Sequence, residues 1–142
     1  MEGEKFLLTM ADHITSEEIT KTALKNAAHA PLLCIDRQIR DSPQVNEATK
    51  VLVGEDGYIR NIGKEIPLWN ALDTGVFLFT YKIFEVINLI KTKYSILTLT
   101  HCVKEMIKMG FPLWACDVSG NFWMDVDTAE DVALAERVLR SA

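Results

Sequence analysis

Three short clusters in the 142-residue chain carry side chains able to hold a cation or a phosphate. They are Ala11-Asp12-His13, Asp73-Thr74-Gly75 and Asp125-Val126-Asp127-Thr128. A Mg²⁺ ion takes one or two protein carboxylates and fills its other positions with water and phosphate oxygens. Asp12 with a carboxylate from the Asp125/Asp127 pair is a donor set of that kind. Asp125 and Asp127 alternate, so within a strand they project to opposite sides. At a strand end one can face a cleft while the other braces the next helix. Thr128 is the better cap there, which frees Asp127. An Asp after a strand is also commonly a cap, so Asp12 stays open between cap and ligand. His13 reads equally as a ligand contact and as a half-exposed loop histidine. His29 and His101 fall on helices and read as structural. Lys64 alone is an ordinary solvated charge.

The apolar pattern names the elements that must position these clusters. Lys5 to Met10, KFLLTM, is a near-continuous apolar run and predicts a buried strand. Thr15 and Glu18 have capping-box spacing, with a helix to about Ala28 and a stop at Pro31. Leu32 to Asp36 predicts a second strand, and the polar stretch Arg37 to Ala48 a loop. Thr49–Val53 and Tyr58–Ile62 flank the turn Glu55-Asp56-Gly57 and predict a hairpin ending at Gly63-Lys64. Gly75 to Phe79 is another buried run, entered through Asp73-Thr74. A helix opening at Thr80 carries Ile83, Val86, Ile87 and Ile90 on one face. Another, starting near Thr98, carries Cys102, Val103, Met106 and Ile107 and ends at Gly110 and Pro112. Leu113–Val118 and Asn121–Val126 around Ser119-Gly120 predict a second hairpin. Thr128 with Asp131 caps a last helix with Val132, Leu134, Ala135 and Val138 inward. Strands alternating with helices, plus two hairpins, predict an α/β fold with a mixed sheet and flanking helices. In such sheets ligands bind beyond the carboxyl ends of the strands, where all three clusters fall.

Composition narrows the function classes. The net charge of −5, with no long basic run, excludes nucleic-acid binding driven by phosphate neutralisation. The longest apolar runs are far below the roughly 20 residues that span a bilayer. Apolar residues at 49% of the chain exclude intrinsic disorder. Cys34, Cys102 and Cys116 are far apart in apolar surroundings, and no C-x-x-C pair occurs. They predict buried reduced thiols in a cytoplasmic protein rather than a zinc site.

Three segments carry a family resemblance: FLLTMADH, TKVLVGEDGYIRNIGKEIPLWNALDTGVFLF and FWMDVDTAEDVALAE. Together they resemble the sugar-phosphate nucleotidyltransferases, and among these the CTP:inositol-1-phosphate cytidylyltransferases. The resemblance spans essentially the whole chain, and its most specific part is the hairpin, I-G-K and L-D-T-G of the middle segment. It implies a partial Rossmann-like nucleotidyltransferase fold forming one truncated domain over residues 1–142. It implies that Asp12 and Asp127, with Asp125 beside them, hold Mg²⁺, and that Lys64 meets the acceptor phosphate. It implies that Asp73, Thr74 and Gly75 line the acceptor polyol. The reaction it implies is attack of a phosphorylated acceptor, inositol 1-phosphate favoured, on the α-phosphate of a nucleoside triphosphate, CTP favoured, releasing pyrophosphate. Ala11 and Ala129 depart from the family, which often has Gly and Pro there.

The family's glycine-rich, arginine-containing triphosphate loop has no counterpart before KFLLTM. The chain therefore corresponds to the second part of the family's domain, and the expectation is a piece of a longer product with little transfer activity alone. The alternative is a non-catalytic acceptor-binding or oligomerisation fragment of the same fold. Either way KFLLTM is expected at a sheet edge, open to a homodimer through that strand.

Overall fold

In a computed structural model, residues 4–38, 45 and 47–140 are described. The apolar runs become a mixed sheet. Strand β1 is Lys5–Thr9, β3 Leu32–Asp36, β4 Lys50–Val53, β5 Ile59–Gly63, β6 Ala71–Thr80 and β7 Trp114–Asp117. Their order is β5-β4-β6-β3-β7, with β1 also on β6. The long strand β6 explains the branching. Its first residues pair with β4 (Lys50↔Leu72) and its later ones with β1 (Thr9↔Val76 to Lys5↔Thr80). Its other edge pairs antiparallel with β3, whose far side takes β7 in parallel. A separate antiparallel ribbon joins β2, His13–Thr15, to β8, Trp123–Asp125.

Among the described residues, the α-helices α1 Glu17–Lys25, α2 Lys82–Ile90, α3 Leu99–Lys108 and α4 Ala129–Arg140 flank the strands. Alternation along the strands divides the core. Leu33, Ile35, Phe77 and Phe79 pack against Ile83, Val86, Val103 and Met106 of α2 and α3. Leu32, Cys34, Val76, Leu78 and Cys116 pack against Ile19 and Ala23 of α1. Strands buried on both faces read as continuous apolar runs, which is why LLCI and VFLF were legible.

Several expectations need correcting. β1 is not buried on both faces: Phe6 and Leu8 face the core, whereas Lys5, Leu7 and Thr9 are exposed. Among the described residues it pairs with β6 alone, so it is the expected open edge. Thr15 does not cap α1. It belongs to β2, and Ser16 takes the N-cap position without a side-chain bond. Ser119 and Gly120 do turn the chain, with Gly120 at φ +92, but no hairpin forms. Ala115 and Cys116 need cover on both faces and join the main sheet, while β8 leaves to pair with β2. Thr128 and Asp131 cap α4 as expected, Thr128 Oγ1 accepting from Asp131 N at 3.1 Å. Yet only Ala135 is buried on that helix. Val132, Leu134 and Val138 stay 36–47% exposed, Leu134 and Val138 lining a cavity rather than filling it. Most of the Arg37–Ala48 loop lies outside the described residues.

Candidate functional site

The site forms where β1 hands the chain to β2. Met10 N donates to Gly75 O at 3.0 Å, which ties the end of β1 to β6. Asp12 follows in a turn. The β2–β8 ribbon then sets His13 directly opposite Asp125, and Val126 N donates to Asp12 O at 2.7 Å. A carboxylate from residue 12 and one from residue 125 are thereby fixed together by main-chain bonds. One ligand atom each from Asp12, His13 and Asp125 lie within 4.8 Å of one another.

His13 sits at the centre, its side chain 12% exposed. Nδ1 lies 2.8 Å from Thr74 O, so Nδ1 carries the hydrogen and donates. Nε2 then faces Asp125 Oδ1 at 3.6 Å and Asp12 Oδ1 at 3.8 Å. The Trp123 ring lies nearly parallel to the imidazole, with centroids 6.1 Å apart. Gly75 makes the room. Its φ of +84° suits glycine, and a Cβ there would stand 2.8 Å from two imidazole carbons and closer still to Nδ1.

Burial and like charge shape the carboxylates. Burial, the largest influence, pushes the Asp73 carboxyl up to about 6, which the Gly75 N–H donating to Oδ1 at 2.6 Å only partly offsets. The charge of Asp125 adds to that rise and His13 opposes it. Asp125 is also raised, first by burial. The negative charges of Asp127 and Asp12 add to the rise, while His13 and Lys64 oppose it. Asp125 Oδ1 is buried and has no hydrogen-bond partner among the described residues. Buried polar atoms are nearly always satisfied, so an orphan carboxylate oxygen facing a second carboxylate fits a cation.

The expected site residues therefore divide. Asp12, Asp125 and Asp73 converge, and Lys64 at the end of β5 lies close enough for its charge to act on Asp125. Asp127 is exposed and outside the tight cluster, though its charge also reaches Asp125. Of the two acids Asp125 faces inward, and the carboxylate that braces α4 is that of Asp131, which accepts from Asp127 N at 3.0 Å and Thr128 N at 3.1 Å. Asp73, Thr74 and Gly75 lie within β6 rather than in a loop. Thr74 is fully buried and its hydroxyl donates to Cys34 O at 2.8 Å, so it presents no side chain to a ligand. Gly75 leaves the space that the His13 ring occupies. His13 itself is placed more centrally than a loop histidine, and its signal was adjacency to Asp12. His29 stacks on Trp114, and His101 closes the cap of α3, both structural as expected. A cavity of about 150 Å³ is lined by Asp36, Leu72, Trp123, Met124, Leu134 and Val138.

No protein-family model matches the chain. Sequence relatives are more telling. The bifunctional IPC transferase and DIPP synthase of Archaeoglobus fulgidus is 35% identical over 139 residues, covering 98% of this chain and 26% of the relative. The protein of the same name from Aquifex aeolicus is 37% identical, covering 98% and 30%. Among solved structures, the inositol-1-phosphate CTP transferase from T. maritima superposes with a TM-score of 0.75 at 28% identity. That match covers 99% of this chain and 56% of the other. The chain is similar in sequence to these bifunctional IPC transferases and DIPP synthases. A UTP-bound UGPase from Acinetobacter baumannii, 12% identical with a TM-score of 0.74, shares the fold alone over 96% of this chain and 50% of its own. The fold is thus the mixed, Rossmann-like sheet of nucleotidyltransferases. The chain spans between a quarter and a third of the length of the curated relatives it matches. No helix among the described residues is long and apolar enough to cross a membrane.

Proposed function

We propose that this chain is the acceptor- and metal-holding part of a cytidylyltransferase-type nucleotidyltransferase domain. The reaction joins a phosphorylated polyol, inositol 1-phosphate favoured, to the nucleoside monophosphate of CTP. An acceptor phosphate oxygen attacks the α-phosphorus, a P–O–P anhydride forms, and the bond to the β-phosphate breaks to release pyrophosphate. The observation that carries this reading is the convergence of Asp12 and Asp125 around His13, with Asp125 Oδ1 buried and without a hydrogen-bond partner among the described residues. The names of the relatives supply the substrate class.

The residues present fit a divalent cation, Mg²⁺ in the family resembled, with Asp12 and Asp125 holding it and Asp127 adding negative charge beside them. When bound, it supplies neutralisation between two anionic reactants. The chain's own groups do the rest. Lys64 brings a mobile point charge to the acceptor phosphate. Asp73, largely buried next to the cluster, offers an oxygen acceptor for a polyol hydroxyl. The carboxylates must be charged to hold a cation, and a nearby positive charge opposes the effect of burial on Asp125. Charge neutralisation and positioning carry most of phosphoryl-type transfer, so no nucleophilic side chain is required. The buried thiols suit a reducing, cytoplasmic setting. The open edge of β1 supports addition of a strand from a second copy, which light scattering reads.

The test is calorimetric titration of inositol 1-phosphate, phosphocholine and glucose 1-phosphate into the chain with Mg²⁺, beside pyrophosphate release from CTP and UTP. Release is measured in the chain alone and when it is joined to the remainder of such a domain. Binding of inositol 1-phosphate that Lys64→Ala weakens about tenfold, with transfer only in the joined protein, is the expected result. Full transfer by the joined Asp12→Asn, Asp125→Asn variant would overturn the reading.

A further inference from the structure

The imidazole of His13 is held in a way that neither a cap nor a packing residue requires. Its Nδ1 hydrogen is committed to the Thr74 carbonyl at 2.8 Å. The Trp123 ring lies nearly parallel to the imidazole with centroids 6.1 Å apart, and the missing Cβ of Gly75 leaves the space that the imidazole fills. The remaining ring nitrogen, Nε2, faces two carboxylate oxygens at 3.6 and 3.8 Å. Those separations are too long for hydrogen bonds, which run to about 3.2 Å. They exceed by a few tenths of an ångström the spacing of two adjacent donors on one small ion, roughly 3.0–3.4 Å for ligands each about 2.1 Å from a metal, a gap that small side-chain rotations close. Fixing Nδ1–H on a backbone carbonyl is also the arrangement by which proteins aim the other nitrogen of a metal-binding histidine.

We propose that His13 Nε2 is the third protein ligand of the cation site formed with Asp12 and Asp125. The site then has one nitrogen and two carboxylate donors and takes first-row transition ions such as Mn²⁺ or Co²⁺ more tightly than Mg²⁺. Imidazole favours such ions, whereas Mg²⁺ is served by oxygen donors. The inference rests on the reading of Asp12 and Asp125 as metal ligands and goes beyond it by adding the nitrogen and the selectivity that follows. Gly75 and Thr74 thereby become positioning residues, because one clears the space for the ring and the other orients it.

The experiment is pulsed electron paramagnetic resonance of Mn²⁺ bound to the full chain. The wild type should show nitrogen modulation from ¹⁴N, converted to the ¹⁵N pattern when histidine alone is labelled. His13→Asn should lose the modulation and lower the Mn²⁺-over-Mg²⁺ affinity ratio about tenfold. There are 3 histidines, so His29→Gln, His101→Gln leaves His13 alone and gives the same answer if His13→Asn fails to fold. Mn²⁺ bound with no nitrogen coupling, and lost in Asp125→Asn, would overturn the role of His13 while leaving the two-carboxylate reading intact. No Mn²⁺ bound at millimolar concentration would overturn both.

Discussion

Replacing Gly75 by alanine tests the built site more sharply than removing a ligand. Two costs are separable. At φ +84° an alanine occupies the left-handed region, at about 1–2 kcal/mol. The new Cβ also invades the imidazole of His13, which cannot retreat without giving up its 2.8 Å bond to Thr74 O. A hydrogen bond of this kind is worth about 1 kcal/mol. The sum is roughly 2–3 kcal/mol, or on the order of 10 °C in Tm for a chain of this size. Gly110 provides the control. It has φ +80° and nothing within 4 Å of a built Cβ, so Gly110→Ala carries the backbone cost alone. Thermal denaturation of both variants, with and without 1 mM Mn²⁺, is the assay. Gly75→Ala should fall further than Gly110→Ala, and only Gly75→Ala should lose the stabilisation that Mn²⁺ gives. Equal Tm values with equal Mn²⁺ stabilisation would refute the packing of His13 against Gly75.

Other outcomes follow from the same geometry. Asp73 titrates near 6 when folded against an ordinary 3.8. The folded state therefore holds more protons between those values, and stability falls as pH rises through that window. Asp73→Asn keeps an oxygen for the Gly75 N–H, and metal-free Tm should rise at pH 7.5 and lose its slope between pH 4 and 6. Glu105 is the opposite case. Hydrogen bonds from Lys93 at 2.6 Å and Tyr94 at 2.8 Å hold it down near 2. Its contribution is present above about pH 4.5 and is lost as pH falls toward 2, so Glu105→Gln should flatten acid unfolding over that range. Thr98→Ala removes the side-chain acceptor of the α3 capping box and should cost about 1 kcal/mol in urea unfolding. Cys34, Cys102 and Cys116 are buried, so a thiol reagent should label them only at the rate of unfolding.

The sequence disclosed what is decided by local apolar periodicity. LLCI and the helices bearing Ile83, Val86, Val103 and Met106 bury what their pattern says, whereas KVLV buries Lys50 and leaves Leu52 half-buried. Elements decided by a distant partner stayed hidden. β2 is three residues long and exists because β8 lies beside it, and nothing in His13-Ile14-Thr15 alone says strand. The start of β6 was masked by Asp73-Thr74-Gly75, polar residues inside a strand where the pairing with β3 shifts register. The hairpin around Ser119-Gly120 failed for the same reason, since turn chemistry was local but pairing was not. In the site, Asp12 and Asp125 were legible as acids at strand ends. The inward turn of Asp125 rather than Asp127 depends on the ribbon register, and the centrality of His13 depends on a glycine 62 positions later.

The length of β6 sets how this protein opens. Its ten residues are shared by β4, β1 and β3, and the same strand carries Asp73, the Thr74 carbonyl and Gly75. Amides at Val76 to Phe79 should be among the last to exchange with deuterium, because freeing them breaks pairing on both edges. The ribbon that brings Asp12 to Asp125 has no such cover and should exchange earlier. Ligand grip can therefore be lost in a partly opened molecule whose sheet is still whole, whereas loss of β6 removes site and core in a single step.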